Sequence, residues 1–250
     1  MLATFCLRLA CGLAGALLIL SPAQIHPRFY RVQFLTALCL TAAAAVFLHE
    51  LAGVWLWVAL SSALLFAFFG SLAWSLEGAP GRRSLAPLTA VSLALALGLS
   101  RYPSSAGESL GWILAMDWSS AALLGTATTA MLMGHSYLIA PAMSLTPLLR
   151  LLGALLVATL VRLAISGVGV WFWTSGHALT KVDSVTMLLA LRGGIGFVGP
   201  LVLGAMAWQS ARIRSTQSAT GILYVLVIFV FLGELISEVL FGITDGGLIS

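Results

Sequence analysis

Residues 221–241 read GILYVLVIFVFLGELISEVLF, an apolar run interrupted by two carboxylates, Glu234 and Glu238. A helix rises about 1.5 Å per residue, so this run is about as long as the hydrocarbon core of a bilayer is thick, roughly 30 Å. Because Glu234 and Glu238 are four residues apart, they share one face of such a helix. The run therefore predicts a transmembrane helix with an acidic face.

The composition of the whole chain agrees with a membrane protein. Of its 250 residues, 60% are hydrophobic and 8% are charged, whereas soluble domains carry about 25% charged residues. The net charge of +4 contains no basic cluster longer than two adjacent residues, so nucleic acid binding is not indicated. We predict an all-α fold: one polytopic membrane domain over residues 1–250, in contact with lipid.

Eight segments are long and apolar enough to cross a bilayer, which takes roughly 20 residues. They cover residues 2–21, 32–50, 53–76, 84–101, 119–140, 145–173, 184–209 and 217–241. Seven arginines fall in the loops after the first, third, fifth and seventh segments, against three positive charges on the other side. Because positive loops stay in the cytoplasm, both termini are expected outside, in a bacterial inner membrane.

Two arginines lie far from the ends of the sixth and seventh predicted membrane helices. Arg162 lies in the sixth helix, and Arg192 opens the stretch RGGIGFVGP of the seventh. An arginine at the centre of a membrane helix costs about 2.5–3.5 kcal/mol, so each should face a partner or a cavity. Estimated depths bring both arginines together with Glu234 and Glu238 in the outer half of the membrane.

This predicted constellation has two interpretations. One is a polar cavity that binds a substrate, with His49 and Glu50 at its outer rim. The other is a set of structural ion pairs that hold helices together, because buried charges persist mainly by pairing.

The glycines of residues 192–200 also allow two interpretations. Gly194, Gly196 and Gly199 match a GxGxxG pattern, but no predicted strand precedes them, so a dinucleotide-binding fold is excluded. Close packing of helices is one explanation for these glycines, and a locally broken helix before Pro200 is the other.

A second group of polar residues is predicted near the cytoplasmic face. It consists of His135, Tyr137, Arg150 and Gln33. Such side chains can donate hydrogen bonds to the carbonyl oxygens of a quinone; alternatively, His135 caps its helix and Tyr137 is an interfacial anchor. Haem is not favoured, because His49 and His135 fall at opposite membrane surfaces, and no ligand spacing for a metal occurs within a helix.

The number of helices, the outside termini and the run GILYVLVIFVFLGELISEVLF resemble the membrane anchor subunits of DMSO reductase-type and polysulfide reductase-type oxidoreductases. That family's last helix often carries a Gly-Glu-hydrophobic pattern followed by arginine; here Gly233 and Glu234 match, and Glu238 stands near the arginine's position. The resemblance implies a haem-free subunit that binds a quinol and passes electrons to a partner carrying iron–sulfur clusters or haems. It assigns nothing to residues 192–200.

Three functions follow as hypotheses. The first is a quinone-binding membrane subunit of an electron-transfer complex, working with partner subunits that carry redox centres. The second is a proton-coupled secondary transporter of a small anion, with Arg162 and Arg192 as the clamp. The third is a structural or assembly subunit. Against the transporter, the sequence shows no internal repeat, because intramembrane charges are concentrated in its second half.

Overall fold

A computed structural model describes residues 2–50, 53–76, 81–101, 110–139, 143–176 and 184–243. Every regular element in these ranges is helical. The helices are α1 (Leu2–Ile19), α2 (Pro27–Leu48), α3 (Val54–Ala73), α4 (Leu85–Arg101), α5 (Leu110–Ile139), α6 (Thr146–Gly176), α7 (Ser184–Leu191), α8 (Gly199–Arg212) and α9 (Thr216–Ile243). A π-helical segment (Arg192–Val198) joins α7 to α8 without interruption.

Six helical segments in the described part of the chain are long and apolar enough to cross a membrane. They are Leu2–Ile19, Pro27–Leu48, Val54–Ala73, Thr146–Phe172, Val185–Arg212 and Thr216–Gly242. The helix α4 is apolar but shorter. The chain is therefore a helical protein of the membrane type, as its composition predicts.

The helix α5 differs most from the sequence-based prediction. It begins at Leu110, nine residues before the predicted start at 119, so Asp117 belongs to the helix and not to a loop. The helix is also missing from the membrane-crossing candidates. It is rich in Ser, Thr and Ala that are buried against neighbouring helices, and a helix covered by protein does not need the hydropathy of a lipid-facing one.

The helices form two groups with the same order of contacts. In the N-terminal unit (α1–α4), α1 packs against α2 and α4, and α3 packs against the same two helices. In the C-terminal unit (α5–α9), α5 packs against α6 and α9, and α8 packs against the same two. The most extensive contact in the molecule joins the units along α1 and α5.

Two glycines allow α1 and α5 to meet. A side chain on Gly12 would overlap the backbone of Ala121 and Gly125, and one on Gly125 would overlap the backbone of Gly12. Such backbone contact between helices requires small residues on both sides. Arg8, near the start of α1, also bonds to Asp117, near the start of α5. Because Gly12 and Gly125 meet further along both helices, α1 and α5 run in the same direction.

At the π-helical segment the structure supports close helix packing, and the helix is distorted but not broken as the other explanation predicted. A side chain on Gly196 would come within 3.0 Å of the Cα atom of Gly233 in α9, and one on Gly199 would overlap Phe229. Close helix packing is therefore confirmed at these two positions. The helix is also locally distorted, because the π-helical turns end next to Pro200, whose ring cannot fit a regular helical turn.

Large apolar side chains cover the outside of the bundle. Examples are Val46, Trp55, Val157, Leu160 and Ile228, each more than half exposed. Water does not favour such a surface, whereas lipid chains do, so these faces are the expected lipid contacts.

Candidate functional site

Seven charged side chains gather in the half of the bundle that contains the start of α1 and the end of α9. Six of them are buried, and Arg101 is nearly so. They are Arg8, Arg101, Asp117, Arg162, Arg192, Glu234 and Glu238. They come from α1, α4, α5, α6, the π-helical segment and α9.

Arg162 and Glu234 form a two-pronged ion pair between α6 and α9. The guanidinium Nε donates to Glu234 Oε1 at 3.0 Å, and Nη2 donates to Oε2 at 3.1 Å. Arg162 also donates to the Met116 carbonyl oxygen at 3.1 Å and to Ser237 Oγ at 3.1 Å, while Ser120 donates to Glu234. A bidentate arginine–carboxylate pair with its remaining donors bonded is the form in which two charges are best accommodated without water.

The four-residue cluster of Arg8, Arg101, Asp117 and Glu238 connects the two units. Arg8 Nε donates to Asp117 Oδ1 at 2.8 Å, and Arg101 Nε donates to Asp117 Oδ2 at 3.0 Å. Glu238 pairs with Arg8, and its Oε1 lies 3.9 Å from Arg101 Nη2. In these contacts the N-terminal unit supplies both arginines and the C-terminal unit supplies both carboxylates.

Arg192 is placed by the π-helical segment. Its Nη2 donates to Ser166 Oγ of α6 at 2.8 Å, and its guanidinium carbon lies 5.3 Å from the centre of the Phe197 ring. The side chain is 2% exposed. The distorted helix thus directs this arginine toward α6, the helix that also carries Arg162.

The structure joins only some of the residues grouped from sequence. Arg162 and Glu234 are in direct contact, but Glu238, one turn away from Glu234, pairs with Arg8 and Arg101 instead. Arg8, Arg101 and Asp117 were not predicted as site residues. Arg8 was detectable as a charge inside an apolar run, whereas Asp117 required the earlier start of α5.

His49 and Glu50 do not line the buried network. Their side chains are 64% and 83% exposed, and they face each other across 3.6 Å at the end of α2. The predicted rim over the network is therefore not formed by these two residues in the described structure.

Two members of the predicted inner-face group, His135 and Tyr137, point in different directions. His135 and Tyr137 are two residues apart, so they point to nearly opposite sides of α5. His135 Nδ1 lies 3.3 Å from the Tyr224 hydroxyl, whereas Tyr137 donates to the Ser144 carbonyl oxygen. Arg150 is exposed, and Gln33 is buried in α2.

A groove of about 440 Å³ lies between α1, α4 and α5. It is lined by Cys11, Gly12, Gly15, Ala16, Ile19, Ala94, Trp118, Ala121, Ala122 and Thr126, from α1, α4 and α5. A second depression of about 570 Å³, at the other end of the bundle, is lined by Gln24, His26, Arg28, Phe29 and Ser136 among others. The first groove is lined by no charged residue, although its lining residues Gly12 and Ala121 each lie one helical turn from Arg8 and Asp117.

Fold and site together define a class: a helical membrane protein with a buried network of arginines and carboxylates. Comparison with known proteins gives no more specific assignment, since no family model, curated protein or solved structure matches the chain.

Proposed function

We propose that this protein is the quinone-binding integral membrane subunit of an electron-transfer complex. The observation that carries the proposal is the buried network of seven charges in a chain that is only 8% charged. Ionisable groups inside a membrane are costly, and where they occur they usually belong to a pathway or a site. The resemblance of residues 221–241 to quinol-oxidising anchor subunits supports the same function.

The network contains the groups that quinol oxidation requires. Quinol loses two protons and two electrons to become quinone, and carboxylates such as Glu238 and Asp117 are suitable proton acceptors. A nearby guanidinium, such as that of Arg101, stabilises an anionic quinol or semiquinone. The electrons pass to a partner subunit that carries iron–sulfur clusters or haems.

The proposal includes a topology of eight membrane crossings with both termini outside a bacterial inner membrane. The charge network then lies in the outer half of the membrane, because α1 starts and α9 ends at its side of the bundle. Protons released there leave on the outer side. The distribution of positive loop residues supports this orientation.

Two other functions each have one supporting observation. Complete pairing of Arg162 with Glu234 favours a structural subunit in which charges only hold helices together. The repeated contact order of the two units favours a secondary transporter, since transporters are often built from repeats.

Mass spectrometry of the protein extracted gently from its native membrane tests the proposal. Co-purifying redox subunits and a stoichiometric quinone are expected. The isosteric variant Glu238→Gln should still assemble and should lose most quinol oxidation, because it removes a proton acceptor. A chain that purifies alone, without quinone or redox partners, would contradict the proposal and favour the transporter.

A further inference from the structure

The depression at the end of the bundle away from the charge network lies between the start of α2 and the end of α5, and we call it the α2–α5 depression. Its volume of about 570 Å³ lies within the usual range for small-molecule pockets, about 300–1,000 Å³. Its lining combines polar groups with an apolar wall. Among the lining residues are Gln24, His26, Arg28, Phe29, Ser136 and Ile139.

This end of the bundle carries a strong excess of positive charge. Seven arginines lie in or next to the turns that join α1 to α2, α3 to α4, α5 to α6 and α8 to α9. The carboxylates of the described residues lie elsewhere: three belong to the buried network, and Glu50 follows the far end of α2. Arg28 lines the depression and pairs with no carboxylate in the described part of the chain. The lining therefore has the charge that attracts an anion.

A buried amide lies one helical turn behind the lining. Gln33 is 1% exposed, and neither its Oε1 nor its Nε2 atom has a hydrogen-bond partner among the described residues. Because Gln33 follows Phe29 by four residues, the two share one face of α2. Side chains of a helix lean toward its start, so the Gln33 amide is directed back toward the depression. Buried amides are almost always hydrogen-bonded in native proteins, and this one indicates a ligand that supplies the partner.

The depths of these two residues match the layers of a phospholipid. The polar layer of each leaflet is about 5–8 Å thick. Arg28 lies at the start of α2, at the level of the phosphate groups, and Gln33 lies about 9 Å from that start, where the ester groups border the hydrocarbon. Ile139, at the wall, is 77% exposed, so the depression opens toward the lipid chains.

We propose that the α2–α5 depression binds an anionic phospholipid. Its phosphate lies beside Arg28, an ester carbonyl oxygen accepts from Gln33 Nε2, and an acyl chain follows the wall formed by Phe29 and Ile139. Free phosphate satisfies Arg28 alone and leaves the amide and the apolar wall without a partner. A quinone carries no negative charge for Arg28. The site is independent of the function proposed above, because it lies at the opposite end of the bundle from the charge network.

The test uses the full-length protein in detergent, titrated with phosphatidylglycerol and followed by native mass spectrometry and thermal unfolding. A ligand that binds only the folded state raises the unfolding temperature. Phosphatidylglycerol should remain bound as one molecule per chain and raise that temperature. Phosphatidylcholine should bind more weakly, because its choline group offsets the phosphate charge, and inorganic phosphate at the same concentration should have no effect.

Two variants test the two polar contacts. Arg28→Gln should weaken phosphatidylglycerol binding about tenfold, since it removes a charged hydrogen-bond donor. The matched control is Arg150→Gln, which makes the same change at an exposed arginine of this end that does not line the depression; it should bind like the wild type. Gln33→Leu should also weaken binding, whereas without lipid it should unfold no earlier than the wild type, because it removes an unpartnered buried amide.

Each contrary result overturns the inference. Equal weakening by Arg28→Gln and Arg150→Gln would show general attraction to a basic surface. Equal stabilisation by inorganic phosphate would assign the site to a free anion, and displacement of the lipid by an added quinone would assign it to a neutral ligand. Unchanged lipid binding in Gln33→Leu would remove the amide contact. Arg28→Gln alters an exposed side chain, so it remains decisive if Gln33→Leu fails to fold.

Discussion

The N-terminal and C-terminal units pack their helices in the same order but differ in charge. In each unit the first helix contacts the second and the last, and the two first helices, α1 and α5, pack against each other. The N-terminal unit contributes only Arg8 and Arg101 to the buried network. The C-terminal unit contributes all three carboxylates, with Arg162 and Arg192.

The buried ion pairs are accordingly of two kinds: those within one unit and those between the two units. Arg162 and Glu234 lie within the C-terminal unit and connect α6 to α9. The four-residue cluster lies between the units, and each of its ion pairs joins an arginine of one unit to a carboxylate of the other. The first pair is expected to stabilise one unit, whereas the cluster stabilises the association of the two.

The largest effect is expected from removing one member of the pair inside the C-terminal unit. Glu234→Leu leaves Arg162 buried without its carboxylate, which should cost about 3–5 kcal/mol of folding free energy. Thermal unfolding in detergent measures the loss. The double variant Arg162→Leu/Glu234→Leu should recover most of it, because no isolated charge remains. A double variant as unstable as the sum of its single variants would show that the pair is not the source of the stability.

A smaller effect is expected at the contact between the units. Gly125→Ala places a methyl group in the backbone of Gly12, and this overpacking should cost about 1–3 kcal/mol. The same unfolding measurement applies, with Gly167→Ala as the control because that position is open. If both variants unfold at the same temperature as the wild type, α1 and α5 do not depend on close contact.

The smallest effect is expected at the exposed pair at the end of α2. His49→Ala should change the stability by no more than about 0.5 kcal/mol, because exposed ion pairs contribute little. Quinol oxidation should also remain unchanged, since His49 lies outside the network. Loss of quinol oxidation in this variant would return His49 to the site and separate its role from that of the four-residue cluster.

Part of the site was predictable because a charge inside a long apolar run of the sequence indicates a buried charge. Arg162, Arg192, Glu234 and Glu238 each interrupt an apolar run, and all four are buried. Their partners were harder to predict. Asp117 was assigned to a loop because the polar residues of α5 concealed the start of that helix, and Arg101 lies at a helix end where an arginine is ordinary.

The inner-face group shows that depth along a helix is not enough to predict a site. His135, Tyr137, Arg150 and Gln33 were grouped by depth along their helices, but depth does not specify direction. Each residue turns a helix by about 100°, so neighbours at one depth can face protein, lipid or another helix. Here His135 lies beside Tyr224, whereas Tyr137 bonds to Ser144.

The sequence by itself determined the class of protein and the segments that form helices, because apolar length and helix formation are properties of a continuous stretch of chain. Tertiary structure decided which charges meet. The glycine contacts between α1 and α5 and between the π-helical segment and α9 set the helix neighbours. The packing of these helices places Asp117 and Glu238 beside the arginines of the other unit. An ion pair forms only where packing brings two buried charges within reach.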